Sequence, residues 1–375
     1  DLSSKRNKVG KDRSIYLRSN VYIALVVTIV LIHLVVAPAY VPEIDKKKSR
    51  QSSPTIKCVF ADTDSGYIRA SNSESKTGSP QKQSSVLVDT DKINLQKSTM
   101  DASIAHDEVT LNLAKKESAE HLHGLAEVYA AMRKRPLRVK AYAVDDDSID
   151  DGENVKVVHF VRHGQGFHNL MADLAHATGR EWTQFTIAPE NPYIMPEILD
   201  SPLTQKGREQ ARALQPCLDE METLPQMVVL SPNCRALQTG IIAYQPLLNK
   251  VPFIAHEMAR EEMGVHVCDQ RRPKSQQVSE FPMVDFSLIE TEEDELFSPT
   301  ERESKMSVGE RIYTFMEWLS QRPEKHVGVV SHSGWLFTVF NGICECDDAL
   351  KGWFHTGESR SVKLVFTSSN TTDNS

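Results

Sequence analysis

An arginine and a histidine stand side by side at Arg162 and His163, followed at once by Gly164. The triplet closes an apolar run, Val155, Val157, Val158, Phe160 and Val161, that reads as a buried strand ending in a turn. Delivered together at a strand end, the pair can do phosphoryl chemistry. A neutral imidazole is a nucleophile for phosphorus, and an adjacent guanidinium can hold the phosphoryl oxygens. The same residues could also end a strand as a solvated Arg-His pair, so the triplet alone leaves both readings open. Ester cleavage by a histidine also needs further cations for the phosphoryl oxygens and an acid for the leaving oxygen.

Such a nucleophile must be carried by a rigid sheet, at the carboxyl ends of its strands. Beyond residue 154 the pattern supplies one. Strands are predicted at 155–161, 227–231, 251–256, 326–331 and 361–367, with helices at about 204–220, 234–248, 304–320 and 334–343 between them. The alternation predicts an α/β domain of three layers, α/β/α, with a mostly parallel central sheet. Thr204 is placed to cap its helix, and Pro225 and Pro232 punctuate element ends. Residues 171–200 and 265–300 read as long irregular insertions, either substrate-pocket walls or ordinary surface loops.

The segments around these strand ends come in a fixed order. DSPLTQKGREQA (200–211), LSPNCRALQT (230–239), AREEMGVHVCDQRR (259–272) and VVSHSGWL (329–336) follow the Arg-His-Gly triplet. The set resembles the histidine phosphatase superfamily, with its phosphoglycerate mutase-like fold, over roughly residues 155–366. Within it the chain looks most like the plant and fungal mutase-like branch, which carries a similar REHxGVHxCDxRR block and a similar DFSLIE segment. The resemblance implies a metal-free, cofactor-free phosphatase that hydrolyses a small phosphorylated substrate through a phosphohistidine on His163. It places Arg162, Asn169, Arg235 and His332 at the phosphoryl group. Glu261 would be the general acid, with Glu262 one residue away as a rival. Arg271 and Arg272, with Lys274, could hold a second anionic group of the substrate or form a solvated basic patch. Gln165, Phe167 and His168 could simply pack. Glu358 and Arg360 lie in an end block, GESRSV, in which Gly357 stands where an asparagine is often seen. Two alternatives stay open: phosphoryl transfer of the phosphoglycerate mutase type, and a non-catalytic interaction protein on the same fold.

Composition sets the outer bounds. A net charge of −8 argues against a protein that tracks a nucleic-acid backbone. Six cysteines show neither zinc-finger spacing nor a disulfide framework. Nothing specifies an oligomeric state. The N-terminal part is of another kind. The chain starts without a methionine, as a fragment or processed form would, and Lys5, Arg6, Lys8, Lys11, Arg13 and Arg18 precede an uncharged run, Val21–Tyr40. Its length suffices for a single-pass membrane anchor. The Ala37-Pro38-Ala39 ending also fits a cleaved signal for the secretory route or a plastid. The excess of basic residues before the run over those after it favours a cytoplasmic N-terminus, with the catalytic domain across the membrane. The sequence therefore divides into a basic lead and hydrophobic segment (1–41), a disordered linker (42–104), a helical extension and acidic linker (105–153), the catalytic domain (154–368) and a tail (369–375). In the extension, Val109, Leu113, Leu122, Leu125, Tyr129 and Met132 form one helical stripe, read as docking on the domain.

Overall fold

The computed structural model describes residues 57–58, 124–150, 152–177 and 191–368, all within the unit Pro54–Ser375. The hydrophobic run Val21–Tyr40, the linker apart from Lys57 and Cys58, residues 105–123 of the helical extension and the tail 369–375 lie outside those residues. Among the described residues no helix is long and apolar enough to cross a membrane.

A seven-stranded sheet forms the middle layer. Strands β3 (Val155–Arg162), β6 (His326–Ser331), β4 (Met227–Leu230) and β5 (Phe253–Ala255) lie side by side in that order and run parallel. On the other side of β3, β7 (Ser359–Ser368) runs antiparallel. Strand alternation then sorts the side chains into two cores. Val158, Phe160, Val229, Val327 and Val329 face the helix α7 (Lys305–Ser320), whose Val308, Ile312, Phe315 and Leu319 recur at three- and four-residue steps. Val161, Val228, Leu230 and Val330 face the opposite way, onto Leu214, Leu218, Leu237 and Ala243. A sheet buried on both faces between helices is the three-layer arrangement that the alternating pattern predicts. Each of these fully buried apolar side chains contributes roughly 1.5–3 kcal/mol.

Several elements depart from expectation. Leu137–Ala143 is a strand, β2, paired antiparallel with β7 from Leu137↔Ser368 to Ala143↔Val362. The sheet therefore begins before the expected boundary at residue 154. Only Val139 and Ala141 of β2 are buried, too little apolar alternation to stand out behind the basic stretch Arg133–Arg135. Lys57–Cys58, within the expected disordered linker, forms a two-residue strand, β1, against Arg360 and Ser359. In helix α1 (124–132) the inward stripe is Leu125, Val128 and Met132, while Tyr129 is 36% exposed. The helix expected at 204–220 breaks at Leu214 into α3 (Gln205–Ala213) and α4 (Gln215–Asp219), because Pro216 cannot donate a helical hydrogen bond. Pro246 likewise ends α5 (Cys234–Ala243) in a 3-10 turn. Neither insertion is wholly irregular: 171–200 begins within helix α2 (Phe167–Ala177), and 265–300 contains α6 (Lys274–Glu280) and a parallel bridge between Ile254 and Asp285. Cys217 is disulfide-bonded, although the cysteine spacing shows no disulfide framework. Cys344 and Cys346 are free.

Candidate active site

The parallel strands β3, β6 and β4 end at one level, and their following residues are His163, His332 and Ser231. The amide of His163 donates to the Ser331 carbonyl at 3.0 Å, so the turn after β3 stays tied to β6. Next, Gly164 and Gly207 press their backbones together. A Cβ on Gly207 would lie 2.2 Å from the Gln165 carbonyl oxygen, and one on Gly164 would lie 2.3 Å from that of Gly207. Only glycine permits this approach. Thr204 caps α3 as expected, accepting from the Gly207 amide at 3.1 Å, and its own amide donates to Gln165 at 2.9 Å.

These contacts fix the His163 imidazole. Its Nδ1 lies 2.7 Å from the Gly164 carbonyl oxygen, which can only accept, so Nδ1 carries the proton and Nε2 keeps its lone pair. Arg235 donates its Nε–H to that Nε2 across 3.3 Å. Burial first, then the charges of Arg235 and Arg162, push the His163 pKa well below the ordinary histidine value, although the bond to Gly164 opposes the shift. The ring is neutral at physiological pH.

Arg235, the second residue of α5, is buried among acceptors. Nη1 donates to the Cys268 carbonyl at 2.6 Å, and Nη2 pairs with Asp269 at 2.8 Å. Arg162 donates Nη1 to the Phe354 carbonyl at 2.8 Å. Its Nε is buried without a hydrogen-bond partner, as is Nδ1 of His332. Leaving such groups unpaired costs about 1–3 kcal/mol each, and an anion in the cavity, which Arg162 lines, would offset the cost at Arg162. His332 lies beneath the cavity floor rather than in its lining, with its ring centroid 5.0 Å from that of His163 and its Nε2 2.7 Å from the Ser231 hydroxyl. Asn169 reaches the lining while its Oδ1 accepts from the Gly166 amide at 3.0 Å.

The two candidate acids differ sharply. The Glu261 carboxylate accepts from the amides of Gly334 and Trp335, each at 3.0 Å, and of Glu262 at 3.1 Å. Lys305 binds the Glu262 carboxylate directly, and Arg302 approaches it at 4.0 Å. Both carboxylates line the cavity, but only Glu262 is in an ion pair with a lysine.

The expected second-anion residues are elsewhere. Arg271 is buried, paired with Glu257 at 3.2 Å and donating to the carbonyls of Thr291, Glu292 and Glu293. Arg272 pairs with Asp200 at 3.0 Å and Glu280 at 2.6 Å, and Lys274 donates to the Ile289 carbonyl at 2.6 Å. None of the three lines the cavity, whose walls instead include Arg302, Asp269, His266, Tyr193 and Trp353. Asp269 and His266 stand in the 259–272 block, whose likeness to the mutase-like pattern could have found them, whereas no local sequence signal singles out Arg302, Tyr193 or Trp353. Glu358 and Arg360 act on the wall: they pair at 2.6 Å, and Arg360 donates to the carbonyls of Gly352 at 2.7 Å and Trp353 at 2.6 Å. His168 is buried against Ser201, 2.9 Å from its hydroxyl, and its ring lies 5.5 Å from that of His163.

The cavity, about 110 Å3, thus sets a neutral, tautomer-fixed imidazole beside two arginines and two carboxylates, an arrangement suited to attack on phosphorus. Among the described residues no group of three or more His, Cys, Asp or Glu side chains is placed to hold a metal ion.

Residues 158–372 match the histidine phosphatase superfamily (branch 1). A phosphoglycerate mutase-like protein of Arabidopsis thaliana is 32% identical over 226 residues, covering 52% of this chain and 78% of its own. A probable phosphoglycerate mutase of Saccharomyces cerevisiae is 28% identical over 218 residues, covering 50% and 72%. Among solved structures, the α-ribazole phosphatase of Shigella flexneri aligns with a TM-score of 0.35 at 19% identity, over 57% of this chain and 96% of that one.

Proposed function

The chain belongs to the histidine phosphatase superfamily, a family that includes phosphatases and mutases, and we propose that it is a phosphatase acting on phosphate monoesters through His163. The observation that carries this reading is the fixed tautomer of His163, with Nδ1 bonded to Gly164 and the Nε2 lone pair facing Arg235. In the first step Nε2 attacks phosphorus, the N–P bond forms, and the ester P–O bond breaks. Glu261 gives its proton to the leaving oxygen. Arg162 and Arg235 hold the phosphoryl oxygens, and His332 supports the imidazole from below. In the second step water attacks phosphorus, the N–P bond breaks, and Glu261 recovers a proton from the water.

The test uses the full chain with p-nitrophenyl phosphate in excess chelator. Release of nitrophenol is expected, with an acid-labile, alkali-stable phosphoenzyme on rapid quenching. His163→Ala should lower the rate by about a thousand-fold or more. Near wild-type turnover in that variant would remove His163 from the mechanism, and loss on chelation with rescue by a divalent ion would replace it with a metal route.

A further inference from the structure

The cations at the cavity are almost all committed already. Arg235 pairs with Asp269 at 2.8 Å and Arg302 with the other oxygen of the same carboxylate at 2.9 Å. Lys305, behind the wall, is held by Glu262. Among the described lining residues only Arg162 meets no carboxylate within ion-pair distance, and its two neighbours in function, Arg271 and Arg272, are spent on loop carbonyls and on Glu257, Asp200 and Glu280. The lining carries three arginines, Arg162, Arg235 and Arg302, against three carboxylates, Glu261, Glu262 and Asp269. A phosphate dianion alone takes up the free charge of Arg162 and draws on Arg235.

A second acidic group on the substrate would have no cation left to meet. It would instead face the Glu262 carboxylate, and like charges brought together without compensation disfavour binding. The remaining wall includes the aromatic rings of Tyr193 and Trp353. Trp353, 42% exposed, lies flat on Phe337 with ring centroids 3.9 Å apart and planes 6° apart. Arg360 fixes its backbone through the 2.6 Å bond to the Trp353 carbonyl. A rigid indole at a cavity mouth offers a planar apolar surface at little entropic cost.

We infer, on the phosphatase reading above, that the substrates are phosphate monoesters whose organic part is uncharged and largely apolar, lying on Trp353, and that phosphorylated acids are excluded by Glu262 and the lack of an uncommitted cation.

Two alkyl esters with comparably poor leaving groups test this with the full chain: 2-phenylethyl phosphate and 3-phosphoglycerate. The expected result is a kcat/KM at least about tenfold higher for the phenylethyl ester, a margin in the range of uncompensated like charge. Trp353→Ala should lower kcat/KM for the phenylethyl ester more than for 3-phosphoglycerate and so narrow the ratio between them, which a general loss of structure would not do; an unchanged ratio removes Trp353 from the substrate surface. Equal or better use of 3-phosphoglycerate overturns the inference but leaves the phosphatase reading standing. If neither ester nor p-nitrophenyl phosphate turns over, the phosphatase reading fails instead. Calorimetric titration with 2-phenylethylphosphonate and 3-phosphonopropionate then decides the inference by itself: tighter binding of the carboxylated phosphonate overturns it.

Discussion

Arg235 donates its Nε–H to Nε2 of His163 across 3.3 Å while its far end is held by Asp269 at 2.8 Å. One guanidinium therefore keeps the lone pair of His163 pointed into the cavity and remains attached to the opposite wall. When a phosphoryl group arrives, its oxygens can replace the imidazole nitrogen as the acceptor, and the nucleophile is released at the moment it is needed.

The two neighbouring glutamates should separate by leaving group. Glu261→Gln is expected to slow an alkyl phosphate by about 10²–10⁴-fold, while p-nitrophenyl phosphate, whose leaving group hardly needs a proton, loses little. Glu262→Gln should act chiefly through Lys305, its direct partner, and lower the two substrates alike. Equal losses on both substrates at position 261, or the leaving-group effect at 262, would transfer the acid role.

Stability should fall on mild acidification. Burial first, then the Arg235 charge, holds His163, His168 and His332 well below the ordinary value, and burial pushes His159 and His256 to about 4. Unfolded, these rings titrate near 6.5. Below that pH the unfolded chain binds protons that the folded one refuses, so the stability present above about 6.5 is lost as pH falls towards the folded values. Each ring contributes up to about 1.4 kcal/mol per pH unit. Urea midpoints at pH 7.5 and 5.0 check this, and an unchanged midpoint would mean that the folded rings protonate normally. Turnover of an aryl phosphate should show no acid limb from His163 near 6.5.

Gly207→Ala should destabilise the chain although Gly207 lies within α3, where alanine is the better helix former by about 1 kcal/mol. The added Cβ would meet the Gln165 carbonyl at 2.2 Å, and both partners are backbone, so the overpacking cost of about 1–3 kcal/mol or more outweighs the propensity gain. A lower melting temperature together with a reduced kcat is expected. A raised melting temperature would show that the turn can move aside.

For the N-terminal run Val21–Tyr40 the proposal is membrane engagement, since an uncharged run of that length is costly to leave in water. Membranes from cells expressing the full chain are washed with alkaline carbonate and the mature N-terminus is sequenced. Retention with the run intact marks an anchor, and a new N-terminus at Tyr40 marks a signal peptide. A soluble, uncleaved chain would refute both.

What the sequence made legible depended on how local the signal was. Arg162 and His163 could be read because their strand is apolar on both faces and stops abruptly, and Thr204 because a cap is decided within three residues. Motif order placed Glu261, Arg235 and His332 on one site: the fold brings Arg235 and Glu261 into the cavity lining and sets His332 at the end of β6, against His163. Arg271 and Arg272 were misjudged for a physical reason. Charge in a sequence does not show which carboxylate each cation will meet, and Arg271 finds its partners Thr291, Glu292 and Glu293 some twenty residues on. Arg302 went unseen because its pairing with Asp269 spans 33 residues, whereas Asp269 stood in the 259–272 block with no role read from it. Strand β2 was hidden because only Val139 and Ala141 of it are buried.

The floor of the cavity rides on strands, whereas the wall of Glu261, Glu262, Asp269 and Arg302 comes from the connection between β5 and α7. That division makes the wall an exchangeable cassette. Descendants of this chain could rewrite the connection and acquire new substrates without disturbing phosphoryl handling, provided Glu261 stays to protonate the leaving oxygen and a carboxylate stays at Asp269 to hold Arg235. Diversification is confined to one continuous segment, and grafting that segment between paralogues should transplant substrate preference in a single move.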